Sequence, residues 1–127
     1  MKNRKTILFL IQFFLVVLLC ANVAFANKAS VSIEAPAEVP KGTEITIRLT
    51  VDHNADNVFH HVEWVQLMVN NSQVGYWKYS AFDLPSAATF TIEIKYTVNE
   101  NTEIRGEASC NLHGSAGPAF FKIAIKE

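Results

Sequence analysis

The sequence predicts an all-β protein: one domain, an immunoglobulin-like sandwich of about seven strands. Three observations predict it. After residue 26 the chain breaks into short segments in which apolar and polar residues alternate. Turn-forming residues stand between those segments. No window of this part shows the 3.6-residue period of an amphipathic helix. Short strands of that number in about 100 residues are what a two-sheet sandwich requires.

The first 26 residues stand outside that pattern. Lys2, Arg4 and Lys5 make a basic start, and Ile7 to Cys20 is an apolar run interrupted only at Gln12. Ala24-Phe25-Ala26 follows, the small-x-small pattern that a signal peptidase reads. Residues 1–26 are therefore expected to be a signal peptide, cut after Ala26, and 27–127 the folded domain. The run is short for a membrane span and no stop-transfer flank follows, so no membrane contact is expected after cleavage. The expected destination is the periplasm. With no twin arginine, export is in the unfolded state and a metal would be loaded afterwards.

The strands are justified one at a time. Val31-Ser32-Ile33 alternates, and Pro36, Pro40, Lys41 and Gly42 mark a turn. Glu44 to Val51 puts Ile45, Ile47, Leu49 and Val51 on one face, and Asp52 to Asn57 is a polar loop. Val62 to Val69 is the next strand, and Asn70-Asn71-Ser72 turns it into Val74–Tyr79. A loop around Asp83-Leu84-Pro85-Ser86 leads to Thr89–Val98. Glu103 to Ala108 runs into Cys110, and Ala119 to Ile125 closes the series.

The mature chain of 101 residues can bury a modest core without staples. Losing three basic residues with the leader leaves 8 basic against 12 acidic, a net of −4. That excludes nucleic acid as a partner class, because phosphate binding is driven by clustered Lys and Arg.

Cys110 is the lone cysteine of the mature chain, and it has no intramolecular partner in an oxidising compartment. His113 follows three residues later, and the remaining histidines stand at His53, His60 and His61. A thiolate with several imidazoles is a transition-metal ligand set. Gly114 permits the backbone a tight turn needs, so sulfur and imidazole can aim at one centre. A loop that leaves one end of a sandwich at His53 and re-enters at His60 can bring both imidazoles to that centre. Each of these histidines alone would equally suit a solvated loop or a half-buried core position.

Two segments resemble a known family. Cys110-Asn111-Leu112-His113-Gly114, with His53 through His60-His61 to Trp64, is similar to the iron domain of superoxide reductases, desulfoferrodoxin and neelaredoxin. Val31-Ser32-Ile33-Glu34-Ala35-Pro36 also resembles the start of that domain, so the likeness spans nearly all of residues 27–114. The resemblance implies an immunoglobulin-like sandwich holding iron, Fe2+ or Fe3+, on four histidines and an axial cysteinate. It implies reduction of superoxide to hydrogen peroxide with electrons from a separate donor protein. Residue by residue, His53, His60 and His113 would be equatorial ligands and Cys110 the axial one. His60 is preferred to His61 because it stands four before Trp64, and His61 is a substitute.

Four departures bear on activity. Ala29 stands where the family has its first ligand histidine, and Asn27 where it has a capping Glu. The Lys that guides superoxide is matched by Lys28, now beside the new N-terminus, where chains fray unless tied down. The His53–His60 loop is one residue longer, and the chain runs on past Gly114 into a further strand. A His3Cys set also suits zinc or copper. The alternative expectation is thus a metal-binding or electron-transfer module without reductase activity.

Overall fold

The computed structural model describes residues 2–127, with the backbone alone for Lys2 and residues 18–26. Residues 2–26 form helix α1 (Lys2–Ala26). The side chains of Ala24-Phe25-Ala26 and the Cys20 thiol lie outside the described residues. Among those described, no helix is long and apolar enough to cross a membrane.

Eight strands follow: β1 (Ser30–Glu34), β2 (Glu38–Pro40), β3 (Thr43–Asp52), β4 (Val62–Val69), β5 (Ser72–Lys78), β6 (Phe90–Val98), β7 (Thr102–Cys110) and β8 (Ala119–Lys126). They make two sheets, one ordered β1-β3-β6 and the other β2-β8-β7-β4-β5. Seven strands agree with the alternating segments of the sequence. The eighth, β2, occupies the stretch expected to be a turn. Three residues with one inward side chain, Val39, show no period to detect. Pro40 is tolerated because β2 is an edge strand, where a missing N–H breaks no ladder. The strand after Gly114 is no appendage: β8 lies between β2, to which it is parallel, and β7, to which it is antiparallel.

The core lies between the sheets. Ile45, Ile47, Leu49 and Val51 of β3 point inward, as their period of two dictates. They meet Val62, Val65, Leu67 and Val69 of β4, with Ile104 and Ala108 of β7. In β4 the inward phase shifts between Val62 and Val65, where a bulge breaks the register against β7. Among the described residues, every core residue lies at or beyond Ala29. The Asn70-Asn71 turn has both residues at positive φ, 47° and 65°, as a two-residue hairpin requires.

This topology gathers four strand ends at one end of the sandwich. β1 starts where β3 stops, with Ser30 opposite Asp52. β4 starts where β7 stops, with Val62 opposite Cys110. The loop from His53 to His61 bridges the two sheets there.

Candidate metal centre

Cys110 is the last residue of β7 and is 2% exposed. The chain beyond it closes at once: the Cys110 N–H donates to the Gly114 carbonyl at 2.9 Å, and the Gly114 N–H to the Cys110 carbonyl at 3.0 Å. Gly114 has φ 77°, a conformation that L side chains rarely adopt, so the turn calls for glycine. Inside it the Leu112 N–H points at Cys110 Sγ at 3.4 Å. A donor at that place stabilises a thiolate.

The histidine loop is tied to this turn by Asn111. Its amide donates to the Phe59 carbonyl at 3.1 Å, and its Oδ1 accepts from the His61 N–H at 3.0 Å. Its own N–H donates to the His61 carbonyl at 3.0 Å. Asn57 shapes the loop from within: its Oδ1 accepts from the N–H groups of Phe59 and His60, both at 3.0 Å. Sequence reasoning missed both asparagines as positioning residues. The available signal was their short amide side chains, which cap turns, beside the candidate ligands.

The loop so fixed brings His60 Nε2 to 3.1 Å from Cys110 Sγ. His113 Nδ1 lies 3.3 Å from His60 Nε2 and 3.8 Å from Cys110 Sγ. His53, 7% exposed, stands edge-on to His60 with ring centroids 4.8 Å apart. Donor atoms of His53, His60 and Cys110 all fall within 4.8 Å of one another. His61 is placed differently. Its ring is buried and its Nδ1–H donates to the Asn57 carbonyl at 3.0 Å; His113 is likewise outside that group of three but lies against two of its members.

The donors fit one transition-metal ion. Metal–nitrogen bonds of about 2.1 Å and a metal–sulfur bond of about 2.3 Å at right angles place neighbouring donors about 3 Å apart. The His60–Cys110 and His60–His113 separations are of that size. Lone pairs this close repel unless a proton or a cation stands between them. Burial holds the His60 pKa below the ordinary imidazole value, with the neighbouring charges of His53, His113 and His61 acting in the same direction. The neutral, ligating form is thereby favoured. The buried thiol and the exposed His113 leave the group open to solvent on one side.

The N-terminal segment borders the same group and is tied down there. The Ala29 N–H donates to the Gly114 carbonyl at 3.3 Å, and the Ala116 N–H to the Ala29 carbonyl at 2.9 Å. Ala29 is fully buried. Asn54 donates to Asn27 Oδ1 at 2.7 Å, and the Asn27 carbonyl oxygen lies 3.3 Å from His53 Nε2. Lys28, between these two anchored residues, is therefore not at a frayed end.

Comparison with known proteins places this arrangement. Two structures of superoxide reductase (neelaredoxin) from Ignicoccus hospitalis share the fold. One matches at 21% identity with a TM-score of 0.68 over 82% of this chain and 86% of its own. The other matches at 20% and 0.65 over 78% and 82%. The sulfur carrier protein SoxY from Chlorobium limicola f thiosulfatophilum has the same sandwich, with a TM-score of 0.59 at 8% identity over 76% and 79%. At such identities the likeness is one of fold. No curated protein matches the sequence. The model of the desulfoferrodoxin family matches residues 22–115, most of the folded chain and both ligand-bearing segments, and the protein belongs to the desulfoferrodoxin family.

Proposed function

We propose that the protein is an exported, mononuclear non-heme iron protein that reduces superoxide to hydrogen peroxide with electrons from a separate donor protein. The observation that carries this reading is the convergence of His53, His60 and Cys110 within 4.8 Å, in a chain of the desulfoferrodoxin family. The ligands would be His53, His60, His113 and Cys110. Iron, when bound, supplies the one-electron couple for the balanced reaction: superoxide, one electron and two protons give hydrogen peroxide.

The chain's own residues do the rest. Leu112 N–H points at Cys110 Sγ and would support that sulfur as a metal donor. His53 donates its Nδ1–H to the Ala55 carbonyl at 2.8 Å, which leaves Nε2 as the nitrogen available to a metal. Asn57 and Asn111 fix the loop so that His60 need not reorganise. The side open at His113 admits a small anion, and Lys28 carries the positive charge that would draw one in. Residues 1–26 act as the export signal and the site is filled in the periplasm.

One observation favours a second reading, a metal-binding module without reductase activity. Ala29 is buried and engaged through its backbone alone, so position 29 offers no side-chain ligand. The test separates the two. Mature protein loaded with ferrous iron is mixed with superoxide and a reductant, and peroxide is measured against superoxide consumed. One peroxide per superoxide supports the reductase. Bound iron with no superoxide-dependent oxidation supports the second reading.

A further inference from the structure

The contact between His53 Nε2 and the Asn27 carbonyl oxygen, 3.3 Å, needs a proton or a cation between the two atoms. His53 Nδ1 lies 2.8 Å from the Ala55 carbonyl oxygen, so that nitrogen carries the ring proton. Nε2 of a neutral ring is then a bare lone pair, and it faces a second acceptor, the Asn27 carbonyl oxygen, at 3.3 Å. Two acceptors at that distance attract only through something positive. His53 is one of the three residues whose donor atoms lie within 4.8 Å of one another, and Nε2 is its nitrogen not spent on the Ala55 carbonyl. An ion shared by that group and the Asn27 oxygen satisfies both lone pairs without a further proton.

Asn27 is also the first residue after the expected cleavage point. In the uncut chain its nitrogen is a peptide amide, which has no lone pair to give. Cleavage after Ala26 turns it into an α-amine, which has one once its proton leaves. An α-amine and its own carbonyl oxygen close a five-membered ring on a metal ion. Covalent geometry keeps that nitrogen within about 4 Å of the carbonyl oxygen already beside His53. The new end is held in place: Asn54 grips the Asn27 side chain, and Ala29 is bonded on both sides of its peptide to the Gly114–Ala116 segment.

We infer that removal of residues 1–26 completes the metal site, with the α-amine and carbonyl oxygen of Asn27 as ligands where position 29 offers only a methyl group. The inference rests on the ligand set proposed above. It makes metal loading conditional on processing: the precursor holds only the side-chain donors, and the tight site forms after export. A main-chain chelate asks nothing of the side chain at position 29, which accounts for Ala29 there.

The test compares three proteins: the mature chain beginning at Asn27, the same chain with Ala26 retained at its front, and Cys110→Ser in the mature background. Ferrous iron and cobalt(II) are the probes. Affinity is read by chelator competition, the ligand set by the cobalt ligand-field spectrum, and folding of the apo forms by thermal unfolding. Outer ligand supports are worth about 10–100-fold in affinity, and a direct ligand is worth no less. The chain with Ala26 is therefore expected to fold equally well, to bind at least about tenfold more weakly, and to show a shifted cobalt spectrum. Equal affinities and identical cobalt spectra for the two chain starts, with binding lost in Cys110→Ser, would overturn the inference and leave the side-chain site standing. Unchanged binding in Cys110→Ser would overturn the ligand set itself, and this inference with it.

Discussion

The Cys110–Gly114 turn and the Asn27–Ala29 segment border the same group of donors and are built in opposite ways. In the turn, the backbone is closed on itself by two short hydrogen bonds and the side chains are offered inward: sulfur, and an imidazole three residues on. In the N-terminal segment the side chains contribute packing and anchoring, and the main-chain oxygen is what faces His53. The first region writes its chemistry in residue types. The second writes it in backbone placement, which a sequence records only indirectly. The difference teaches that the side-chain donors gather without any from position 29, where the main chain alone borders the group.

The sharpest way to break this comparison is at the histidine pair. His60→Ala deletes the imidazole nearest the sulfur, and iron affinity should fall about 100-fold by chelator competition. His61→Ala should leave one iron per chain, because its ring is spent on the Asn57 carbonyl. Equal losses for both variants would mean that the loop rearranges on binding. A smaller effect is expected at Asn111, which holds loop and turn together. Asn111→Ala should weaken iron binding about tenfold while the side-chain ligands remain. No change in affinity would show that the loop holds its shape unaided. At Gly114 the expected effect is on stability and not on the ligands. A Cβ there meets open space, so only the positive φ opposes it. Gly114→Ala should cost about 1–2 kcal/mol in urea unfolding. A cost near zero would show the turn relaxing to another conformation.

Much of the fold was legible because burial imposes a period of two. Ile45, Ile47, Leu49 and Val51 announce β3, and the Asn70-Asn71 pair announces its hairpin through its tolerance of positive φ. Strand β2 was not legible, since one buried valine cannot establish a period. Nor was the place of β8 inside its sheet, because pairing order depends on contacts distant in sequence. At the site, the proximity of Cys110, His60 and His113 followed from spacing and from loops sharing one end of the sandwich. The roles of Asn57 and Asn111 did not, because a positioning residue is defined by what it bonds and not by its type. The anchoring of Asn27 to the His53 loop was equally hidden: the contacts span 26 and 27 residues of chain and involve a backbone oxygen.

The central claim is that Cys110 and the surrounding imidazoles hold one iron ion. The most direct test is the optical spectrum of the oxidised, iron-loaded mature protein beside that of Cys110→Ser, with iron measured in both. The account predicts one iron per mature chain and a thiolate-to-iron charge-transfer band that the serine variant lacks. A stoichiometric iron protein whose spectrum is the same with and without Cys110 would contradict it.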